Sequence, residues 1–548
     1  MSTPLELTDL TRPPDLERKR GTGPTRTQRP EYIDLLPPCN AACPAGENIQ
    51  SWLALAQAGR LREAWLAILD DNPLPAVHGR VCYHPCETSC NRTHLDAAVG
   101  IHAVERFLGD RALAEGWMPE AGPATGKRIL IVGAGPSGLS AAYHLRRLGH
   151  AVEIRDSAAQ AGGMMHFGIP AYRLPREILD GEVDRIRRMG VTITLGHPVV
   201  ELEREWVTDG FDAVFLAVGA HLGKRVDIPA TDAVRMLDAL SYLRDVDRGA
   251  PPRLGRRVAI YGGGNTAMDA ARSALRLGHE PLIVYRRDYA HMPALPFEAD
   301  EAMEEGVRIH WLRSIASVHG STLTVEIMEI GADGKARGTG RFETLEADAV
   351  VLAVGQDADT RFLSGVAGVE VGGDGTVKVD ERMMTGRAGL FAGGDMVPAE
   401  RSVTVAVGHG KKAAQHIDAW LRGTTHVKKE SRGTASFDAL RLWFTREVAR
   451  AAQARAPLAA RTSGFGEVVA GLTDREATFE AQRCLSCGNC FACDACLGAC
   501  PERAIVKLGG GPGERYRFDY DRCTGCAVCF EQCPSHAIQM REETGVPA

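Results

Sequence analysis

Apolar residues recur at helical spacing between residues 49 and 68, the first strongly patterned part of the chain. Gly59 is expected to divide this stretch into two helices, and Pro73 to end the second. The sequence therefore predicts a helical domain over residues 39–115. Its expected buried face consists of Ile49, Trp52, Leu53, Ala56, Leu61, Ala64, Trp65 and Ile68.

The pattern changes at residue 127 to apolar runs separated by glycine turns and helical stretches. The segment KRILIVGAGPSGLSAAYHLRRLGHAVEIRD (127–156) predicts a strand, a turn, a helix and a second strand. The segment RVAIYGGGNTAMDAARSALRLGHEPLIVYRR (257–287) repeats this order. Two such units predict an α/β protein with two Rossmann-like nucleotide-binding domains.

Two similar apolar strands that end in glycine, FDAVFLAVGA (211–220) and ADAVVLAVGQ (347–356), follow these units. They indicate that the second nucleotide-binding domain is inserted into the first. We expect the first domain over residues 127–250 and 356–425, and the second over residues 251–355.

The two ends of the chain are predicted to lie outside these domains. Residues 1–38 are polar and proline-rich, which is typical of an extended tail. Residues 427–460 are charged and are expected to form a helical connector within a linker and returning segment, 426–483. Residues 484–548 are predicted to form an α+β ferredoxin-like domain.

Composition and charge narrow the class of protein. The length of 548 residues suggests three or four domains. A net charge of −6 is not typical of a nucleic-acid-binding protein, and no apolar run is long enough to predict a membrane span.

Fifteen cysteines lie in two groups, at residues 39–90 and 484–533. Clustered CxxC spacings without a secretory signal favour metal binding in a reducing compartment over disulfide bonds. We therefore expect a cytoplasmic metalloprotein.

The first glycine fingerprint, Gly133, Gly135 and Gly138, lies between a strand and a helix. These glycines permit the tight turn, the approach of a pyrophosphate and close helix–strand packing. Asp156 ends the second strand and is a candidate acceptor for a ribose hydroxyl. The alternative is a purely structural glycine turn.

The second fingerprint is Gly262, Gly264 and Ala267, with Asn265 and Thr266 in the same turn. Here the second strand ends with two arginines instead of an aspartate. A cation at this place suits the 2′-phosphate of NADP(H), although a solvated surface pair remains the alternative. The two residues are Arg286 and Arg287.

The order of these motifs resembles that of flavin-dependent pyridine-nucleotide-disulfide-type oxidoreductases, in which FAD binds first and NAD(P)H binds an inserted domain. This resemblance implies that Gly163, Gly394 and Asp395 contact FAD. It also implies that a helix starting near Thr404 and Val405 points its N-terminus at the flavin ring. Residues 91–483 contain no cysteine, so no CxxC redox pair comes directly after the first fingerprint and we do not expect a dithiol relay.

A more specific resemblance covers residues 36–425. The segments CNAACPAGENIQSW, NPLPAVHGRVCYHPCETSCNR, GGMMHFGIPAYRLP, GGGNTAMDAARSALRLG, YRRDYAHMPA and AGGDMVPAERSVTVAVGHGKKAA together resemble the small-subunit family of NADPH-dependent glutamate synthase. This implies two [4Fe–4S] clusters in the N-terminal helical domain, followed by FAD and NAD(P)H sites.

The resemblance also implies ligands for these two clusters. One cluster would use Cys43, Cys82, Cys86 and Glu105, although Glu105 could instead be a solvated helix carboxylate. The other would use Cys39 and Cys90 with a CxxC pair. That pair is missing, because residues 1–38 contain no cysteine.

The C-terminal region contains two copies of the motif CxxCxxCxxxCP. In two-cluster ferredoxins the fourth cysteine of each run binds the other cluster. A zinc ribbon is the alternative for any CxxC pair. The predicted sets are Cys490, Cys493, Cys496 and Cys533 for one cluster, and Cys500, Cys523, Cys526 and Cys529 for the other.

Cys484 and Cys487 belong to none of the ligand sets given so far. The preceding segment, FGEVVAGLTDREATFEAQRCLSCG (465–488), resembles the extreme N-terminus of the glutamate synthase small subunit, which supplies the missing pair. We expect a circular displacement in which Cys484 and Cys487 complete the set of Cys39 and Cys90. The alternative is that they are free or bind elsewhere.

Together these features predict an iron–sulfur flavoprotein that moves electrons between NAD(P)H and ferredoxin, or a partner such as a 2-oxoacid:ferredoxin oxidoreductase. A hetero-oligomer is expected. NADP(H) is the expected nicotinamide. No side chain is expected to act as a catalytic acid or base, because the cofactors carry the chemistry. The alternatives are a glutamate synthase-like small subunit and a relay subunit without nicotinamide turnover.

Overall fold

The computed structural model describes residues 26–224, 226–231, 235–427, 432–508 and 516–543. The first 25 residues of the predicted tail, 1–38, lie outside these ranges. Within the tail, strand β1 (Gln28–Tyr32) pairs antiparallel with the strand Ile538–Glu542 at the other end of the chain. None of the described helices is long and apolar enough to cross a membrane.

The helical domain is built around two buried tryptophans, Trp52 and Trp65, which are both fully inaccessible to solvent. Gly59 adopts a positive φ of 72° and separates two helices, as the spacing predicts. The helices are α1 (Pro38–Ala42), α2 (Ile49–Gln57), α3 (Leu61–Leu69), α4 (Pro75–Val81), α5 (Pro85–Thr88) and α6 (Ile101–Ala114).

The first nucleotide-binding domain starts with a strand–turn–helix–strand unit and continues with two further strands. Its apolar strands are buried on both faces, which is typical of a parallel sheet between helices. These elements are β2 (Arg128–Val132), α7 (Pro136–Arg147), β3 (Ala151–Asp156), α8 (Met164–Phe167), α9 (Arg176–Arg188), β4 (Thr192–Leu195), α10 (Leu202–Thr208) and β5 (Ala213–Leu216).

The chain enters the second nucleotide-binding domain through β6 (Leu222–Gly223) and leaves it through Gln356–Asp357, and these two strands pair with each other. The elements between are β7 (Ala230–Thr231), β8 (Arg235–Asp238), α11 (Ala239–Asp247), β9 (Arg257–Tyr261), α12 (Asn265–Arg276), β10 (Glu280–Tyr285), α13 (Pro296–Glu304), β11 (Arg308–Trp311), β12 (Arg313–His319), β13 (Thr322–Ile330), β14 (Ala336–Glu346) and β15 (Ala349–Leu352), and the exit strand is β16 (Gln356–Asp357).

The second domain begins earlier than the predicted boundary at residue 251. Strand β8 pairs in parallel with β15, at the edge of the sheet β11-β10-β9-β15-β8. Helix α11 packs Tyr242 and Leu243 into the apolar core of the same domain. Residues 235–247 therefore belong to the second domain, because their apolar face is buried there.

The chain then returns to the first domain with β17 (Leu390–Ala392) and α14 (Val403–Leu421). Strand β17 completes a parallel sheet in the order β17-β5-β2-β3-β4. Helix α14 packs closely on α7, since a Cβ atom on Gly410 would lie 2.8 Å from the backbone nitrogen of Ala141. The second domain is thus inserted into the first, as predicted.

The predicted helix over residues 427–460 is wrong for the part of it that the structure describes. From residue 432 to 457 the helical structure is limited to a 3₁₀ turn at Phe437–Ala439. Backbone N–H groups here donate to side chains elsewhere in the chain instead, from Val448 to Asp96 of the helical domain and from Ala451 to Glu480 of the returning segment. Helices α15 (Leu458–Ser463) and α16 (Asp474–Gln482) follow.

The C-terminal domain has the two-fold pattern of a ferredoxin. Two short helices and two small sheets surround a core that includes Ile505, Phe518 and Ile538. Strand β1 forms one of these sheets with the last strand of the chain. The elements are α17 (Ala495–Ala499), β18 (Ile505–Lys507), β19 (Tyr516–Phe518), α18 (Val528–Glu531) and β20 (Ile538–Glu542).

Candidate active site and cluster sites

A cavity of about 890 Å³ lies at the carboxyl ends of the first sheet, where open α/β sheets bind their ligands. The first glycine turn contributes Gly133 and Gly135 to it, and the second contributes Asn265 and Thr266. Gly262, Gly264, Ala267, Arg286 and Arg287 are not among its wall residues. Its wall includes Gly133, Gly135, Asp156, Gly163, Gly394 and Asp395 from the first domain, and Asn265 and Thr266 from the second.

The glycines of the first turn allow backbone segments to pack so closely that a side chain would not fit between them. Gly133 has a φ of +112°, and a Cβ atom there would clash with the carbonyl oxygen of Ala217. A Cβ atom on Gly138 would clash with the carbonyl oxygen of Gly133, and one on Gly163 would lie 2.8 Å from the Cα atom of Gly135. This bare backbone at the N-terminus of α7 suits the pyrophosphate of FAD.

Asp156 shapes the turn as well as the cavity wall. Its carboxylate accepts hydrogen bonds from the backbone nitrogens of Ala134 at 2.6 Å and Ala158 at 2.7 Å. Each carboxylate oxygen has a further lone pair, so a ribose hydroxyl can still donate to it. Asp395, on the other side, is half-buried, and its desolvation raises its pKa to about 6.

Helix α14 points its N-terminus into the cavity, as expected. Thr404 and Val405, the two residues expected at this place, do not line the cavity wall. Ser402 caps the helix by accepting from the backbone nitrogen of Val405 at 3.2 Å. The wall residues from this part of the chain are Ser402, Val403 and Ala406. The hydroxyl of Thr404 instead donates to Sγ of Cys82 at 3.1 Å.

The second glycine turn resembles the first in its packing. A Cβ atom on Gly262 would clash with the carbonyl oxygen of Ala353, whereas Gly264 faces open space. Asn265 fixes the neighbouring loop, since its side-chain oxygen accepts from the backbone nitrogen of Leu295 at 3.0 Å. Ala267 is fully buried under the turn.

Arg286 and Arg287 follow the end of β10, where the 2′-substituent of an adenosine ribose is recognised in this fold. Arg286 is exposed and Arg287 is half-buried. Among the ion pairs of the described residues, neither arginine takes part. Arg287 donates to the carbonyl oxygen of His291 at 3.4 Å, so the exposed Arg286 is the guanidinium more open to an incoming phosphate.

One buried ion pair that the sequence did not reveal fixes the two nucleotide-binding domains relative to each other. Arg173, in the first domain, donates to both carboxylate oxygens of Asp269 on α12, at 2.8 and 2.9 Å. It also pairs with Glu298 on α13. Beside it, the guanidinium carbon of Arg276 lies 3.7 Å from the ring centre of Tyr172.

The structure brings Cys39, Cys90, Cys484 and Cys487 together around one small cavity, although they come from opposite ends of the chain. Burial and the neighbouring Cys487 and Cys90 raise the pKa of Cys484 to about 12. A bound metal relieves this crowding of thiolates, because it requires and stabilises the deprotonated form. Four thiol groups in one cavity fit a [4Fe–4S] cluster.

Arg483 holds the returning segment in place next to this set. Its buried guanidinium donates to the backbone oxygens of Ala97 at 2.6 Å and Ala98 at 3.1 Å, and to Asp96 at 2.9 Å. The contact secures the segment that carries Cys484.

The second predicted set, Cys43, Cys82, Cys86 and Glu105, also lies together. Burial and the nearby Cys82 and Cys43 raise the pKa of Cys86. Glu105 is only 5% exposed, so it is not a solvated carboxylate. A second buried carboxylate, that of Glu47, lies near Cys43 and was missed by sequence reasoning.

The cysteines of the C-terminal domain line two small cavities in the crossed arrangement expected for a ferredoxin. One cavity is lined by Cys490, Cys493, Cys496 and Cys533. The other is lined by Cys500, Cys523, Cys526 and Cys529. Cys493 and Cys526 are exposed, so each set reaches the protein surface.

The fold and these sites define a class: an oxidoreductase that combines a flavin, a nicotinamide and iron–sulfur clusters. Comparison with known protein families agrees. Residues 127–410 match the pyridine nucleotide-disulphide oxidoreductase family. Residues 35–117 match the 4Fe–4S domain II of dihydropyrimidine dehydrogenase, and residues 489–537 match the 4Fe–4S dicluster domain.

Curated relatives match most of the chain. The NADP(+)-dependent formate dehydrogenase subunit beta of Moorella thermoacetica is 38% identical, over 82% of this chain and 70% of the relative. The NADPH-Fe(3+) oxidoreductase subunit beta of Geobacter sulfurreducens is 32% identical, over 82% and 75%. The glutamate synthase [NADPH] small chain of Escherichia coli is 32% identical, over 70% and 89%.

Among solved structures, thioredoxin reductase of Lactococcus lactis aligns with 54% of this chain and 99% of its own, at 22% identity and a TM-score of 0.45. The chain belongs to the pyridine nucleotide-disulphide oxidoreductase family, within the group of NADPH-linked iron–sulfur flavoprotein subunits that these relatives form. It is an NAD(P)H-dependent oxidoreductase that uses FAD and [4Fe–4S] clusters.

Proposed function

We propose that this chain is the NADPH-oxidising or NADP-reducing subunit of a larger redox complex, with four [4Fe–4S] clusters between FAD and a partner subunit. The observation that carries this proposal is the contact between Thr404 and Cys82. Thr404 lies in the first turn of the helix whose N-terminus faces the flavin cavity, and Cys82 belongs to a cysteine set. Tyr83, next to Cys82, lines the cavity itself.

When bound, FAD exchanges a hydride with the nicotinamide and the clusters carry single electrons. The chain's own residues bind and orient these groups. We propose that Gly133, Gly135, Gly138, Gly163 and Gly394 form the bare surface for FAD. Asn265 and Thr266 then place the nicotinamide in the same cavity, and Arg173 holds the two domains at the distance that this requires.

The four cysteine sets follow one another through the structure. The set of Cys82 borders the flavin cavity. Cys39 and Cys43 lie at opposite ends of α1, which joins that set to the set of Cys484 and Cys487. Cys490 follows Cys487 by three residues and leads to the ferredoxin-like domain. This succession gives a route from the flavin cavity to the surface near Cys526.

We assign the nicotinamide as NADP(H), since Arg286 and Arg287 lack carboxylate partners among the described residues and can bind a 2′-phosphate. The names of two relatives, the formate dehydrogenase and Fe(3+) oxidoreductase subunits, also specify NADP or NADPH.

We propose a hetero-oligomer in the cytoplasm, because these relatives are named as subunits. The partner that we favour is a catalytic redox subunit of the kind found in formate dehydrogenase. It would dock on the ferredoxin-like domain, which would pass electrons one at a time. A soluble ferredoxin is the other acceptor to be tested.

The test is anaerobic mixing of the purified chain with NADPH or NADH while the flavin absorbance is followed. NADPH should bleach the flavin rapidly and NADH more slowly. Chemical analysis should find about sixteen irons per chain, four for each cluster. Failure of both nucleotides to bleach a flavin-loaded protein would refute the enzyme function and favour a relay subunit.

A further inference from the structure

Strand β1 places a tyrosine against a cysteine of the ferredoxin-like domain. The hydroxyl oxygen of Tyr32 lies 3.4 Å from Sγ of Cys496, within hydrogen-bond range of a sulfur atom. Tyr32 lines the same cavity as Cys490, Cys493 and Cys533. It lies more than 450 residues before these cysteines in the sequence, and no cluster motif contains it.

The protonation states of the two groups decide which one donates this hydrogen bond. A cysteine that binds a cluster is a thiolate and has no proton to give. A phenol has an ordinary pKa of about 10 and keeps its proton at neutral pH. Tyr32 is therefore the donor and Cys496 the acceptor.

The tyrosine ring is held in a fixed position. It stacks on the ring of Phe518 with centroids 4.6 Å apart. Its backbone pairs with Ile538, and the next residue, Ile33, donates its N–H to the carbonyl oxygen of Ala537 at 3.0 Å. The hydroxyl is thus preorganised, and little entropy is lost when it bonds to the sulfur.

The second set of cysteines in this domain has a neighbouring tyrosine with a different partner. The hydroxyl of Tyr520 donates to the carbonyl oxygen of Pro30 at 2.9 Å. The sulfurs of this second set receive backbone bonds, from Ala504 to Cys500 at 3.3 Å and from Gly525 to Cys523 at 3.4 Å.

A backbone bond of the same kind, from Ala537 to Cys533 at 3.2 Å, exists in the first set. This is one backbone bond in the first set, against the two just given for the second. Two hydroxyl groups lie near sulfurs of the first set: Oγ of Ser535 is 3.8 Å from Sγ of Cys533, and the hydroxyl of Tyr32 makes the shorter contact, with Cys496.

We propose that Tyr32 raises the reduction potential of the cluster bound by Cys490, Cys493, Cys496 and Cys533, compared with the same cluster without this hydroxyl. Reduction by one electron increases the negative charge on the sulfurs, and a hydrogen-bond donor stabilises that charge. No covalent bond forms or breaks, and the phenol keeps its proton. The inference rests on the proposed electron route, in which this cluster comes before the terminal one.

The experiment compares the variant Tyr32→Phe with the matched control Tyr520→Phe in the full-length holoprotein. Each variant loses one hydroxyl and keeps its ring. Tyr32 is the last residue of β1, and Tyr520 donates to Pro30 within it. Midpoint potentials are measured by mediated electrochemical titration followed by electron paramagnetic resonance. This readout does not use NADPH, so it remains valid if the flavin fails to react with the nucleotide.

We expect Tyr32→Phe to make one midpoint in the ferredoxin-like domain more negative. A tenfold change in the ratio of oxidised to reduced cluster corresponds to about 59 mV for one electron. Tyr520→Phe should leave the midpoints at their wild-type values. Equal midpoints in the two variants would overturn the inference. So would loss of iron in Tyr32→Phe alone, since Tyr32 would then hold the cluster rather than tune it.

Discussion

Thr404 and Cys82 lie 322 residues apart in the sequence and are joined by a hydrogen bond of 3.1 Å from the hydroxyl to the sulfur. Thr404 lies in the first turn of α14, whose N-terminus faces the flavin cavity. Cys82 follows the last residue of α4 in the helical domain. Thr404 thus connects the helix at the cavity directly to this cysteine set. This contact underlies the first prediction.

Thr404→Val should make the midpoint potential of the neighbouring cluster more negative, because the lost hydroxyl no longer stabilises the reduced sulfurs. Thr404→Ser keeps the hydroxyl and should restore the wild-type midpoint. Redox titration monitored by electron paramagnetic resonance gives the comparison. A valine variant with an unchanged midpoint would show that the contact has no electronic role.

The double variant Cys484→Ser/Cys487→Ser should lose one cluster, or about four irons, because only Cys39 and Cys90 would remain as ligands of that set. The signals of the ferredoxin-like domain should persist. Iron analysis and electron paramagnetic resonance measure both effects. A full iron content, or loss of a ferredoxin-type signal instead, would contradict the assignment across the two chain ends.

Arg286→Ala should raise KM for NADPH much more than KM for NADH, since the lost guanidinium binds a group that NADH lacks. A charge-assisted bond of this kind is worth about 1.5–3 kcal/mol, which corresponds to roughly a tenfold to hundredfold change. Arg204→Ala, at an exposed arginine of α10, is the control for a change of net charge. Equal effects on both nucleotides would exclude a 2′-phosphate contact.

Arg173→Met should weaken the contact between the two nucleotide-binding domains. It would leave the buried Asp269 without its cation and Glu298 with only Arg272, 3.8 Å away, at a cost of about 3–5 kcal/mol. We expect a lower melting temperature and slower bleaching of the flavin by NADPH. Arg455→Met is the control. Arg455 is exposed and pairs with Glu304 on α13, the helix that also carries Glu298, so its loss should lower the stability by at most about 1 kcal/mol. Similar losses in both variants would argue against a special role for Arg173.

Much of the site could be predicted because its residues occur in motifs with fixed spacing. The glycine turns and the cysteine runs carry their geometry within a few residues. The partnership of Cys484 and Cys487 with Cys39 and Cys90 followed from a resemblance and from the cysteine count, and the structure brings the four together.

Other features depend on contacts between distant segments and left no local pattern. The segment QRPEY of β1 does not alternate apolar and polar residues, so its pairing with β20 could not be inferred. Strand β8 has only four residues, and its membership of the second domain depends on its neighbour β15. The connector after residue 432 has helical composition, but its backbone groups find partners elsewhere.

The pairing of β1 with β20 and the shared cysteine set also bear on how the protein is made. A ribosome adding roughly 5–20 residues per second releases Cys39 about 450 residues, or on the order of 20–90 s, before Cys487. During this time the nascent helical domain has half of the ligands for that cluster, and the ferredoxin-like domain does not yet exist. Cluster assembly at this site must therefore wait for the end of translation, and a chain that stops early cannot complete it.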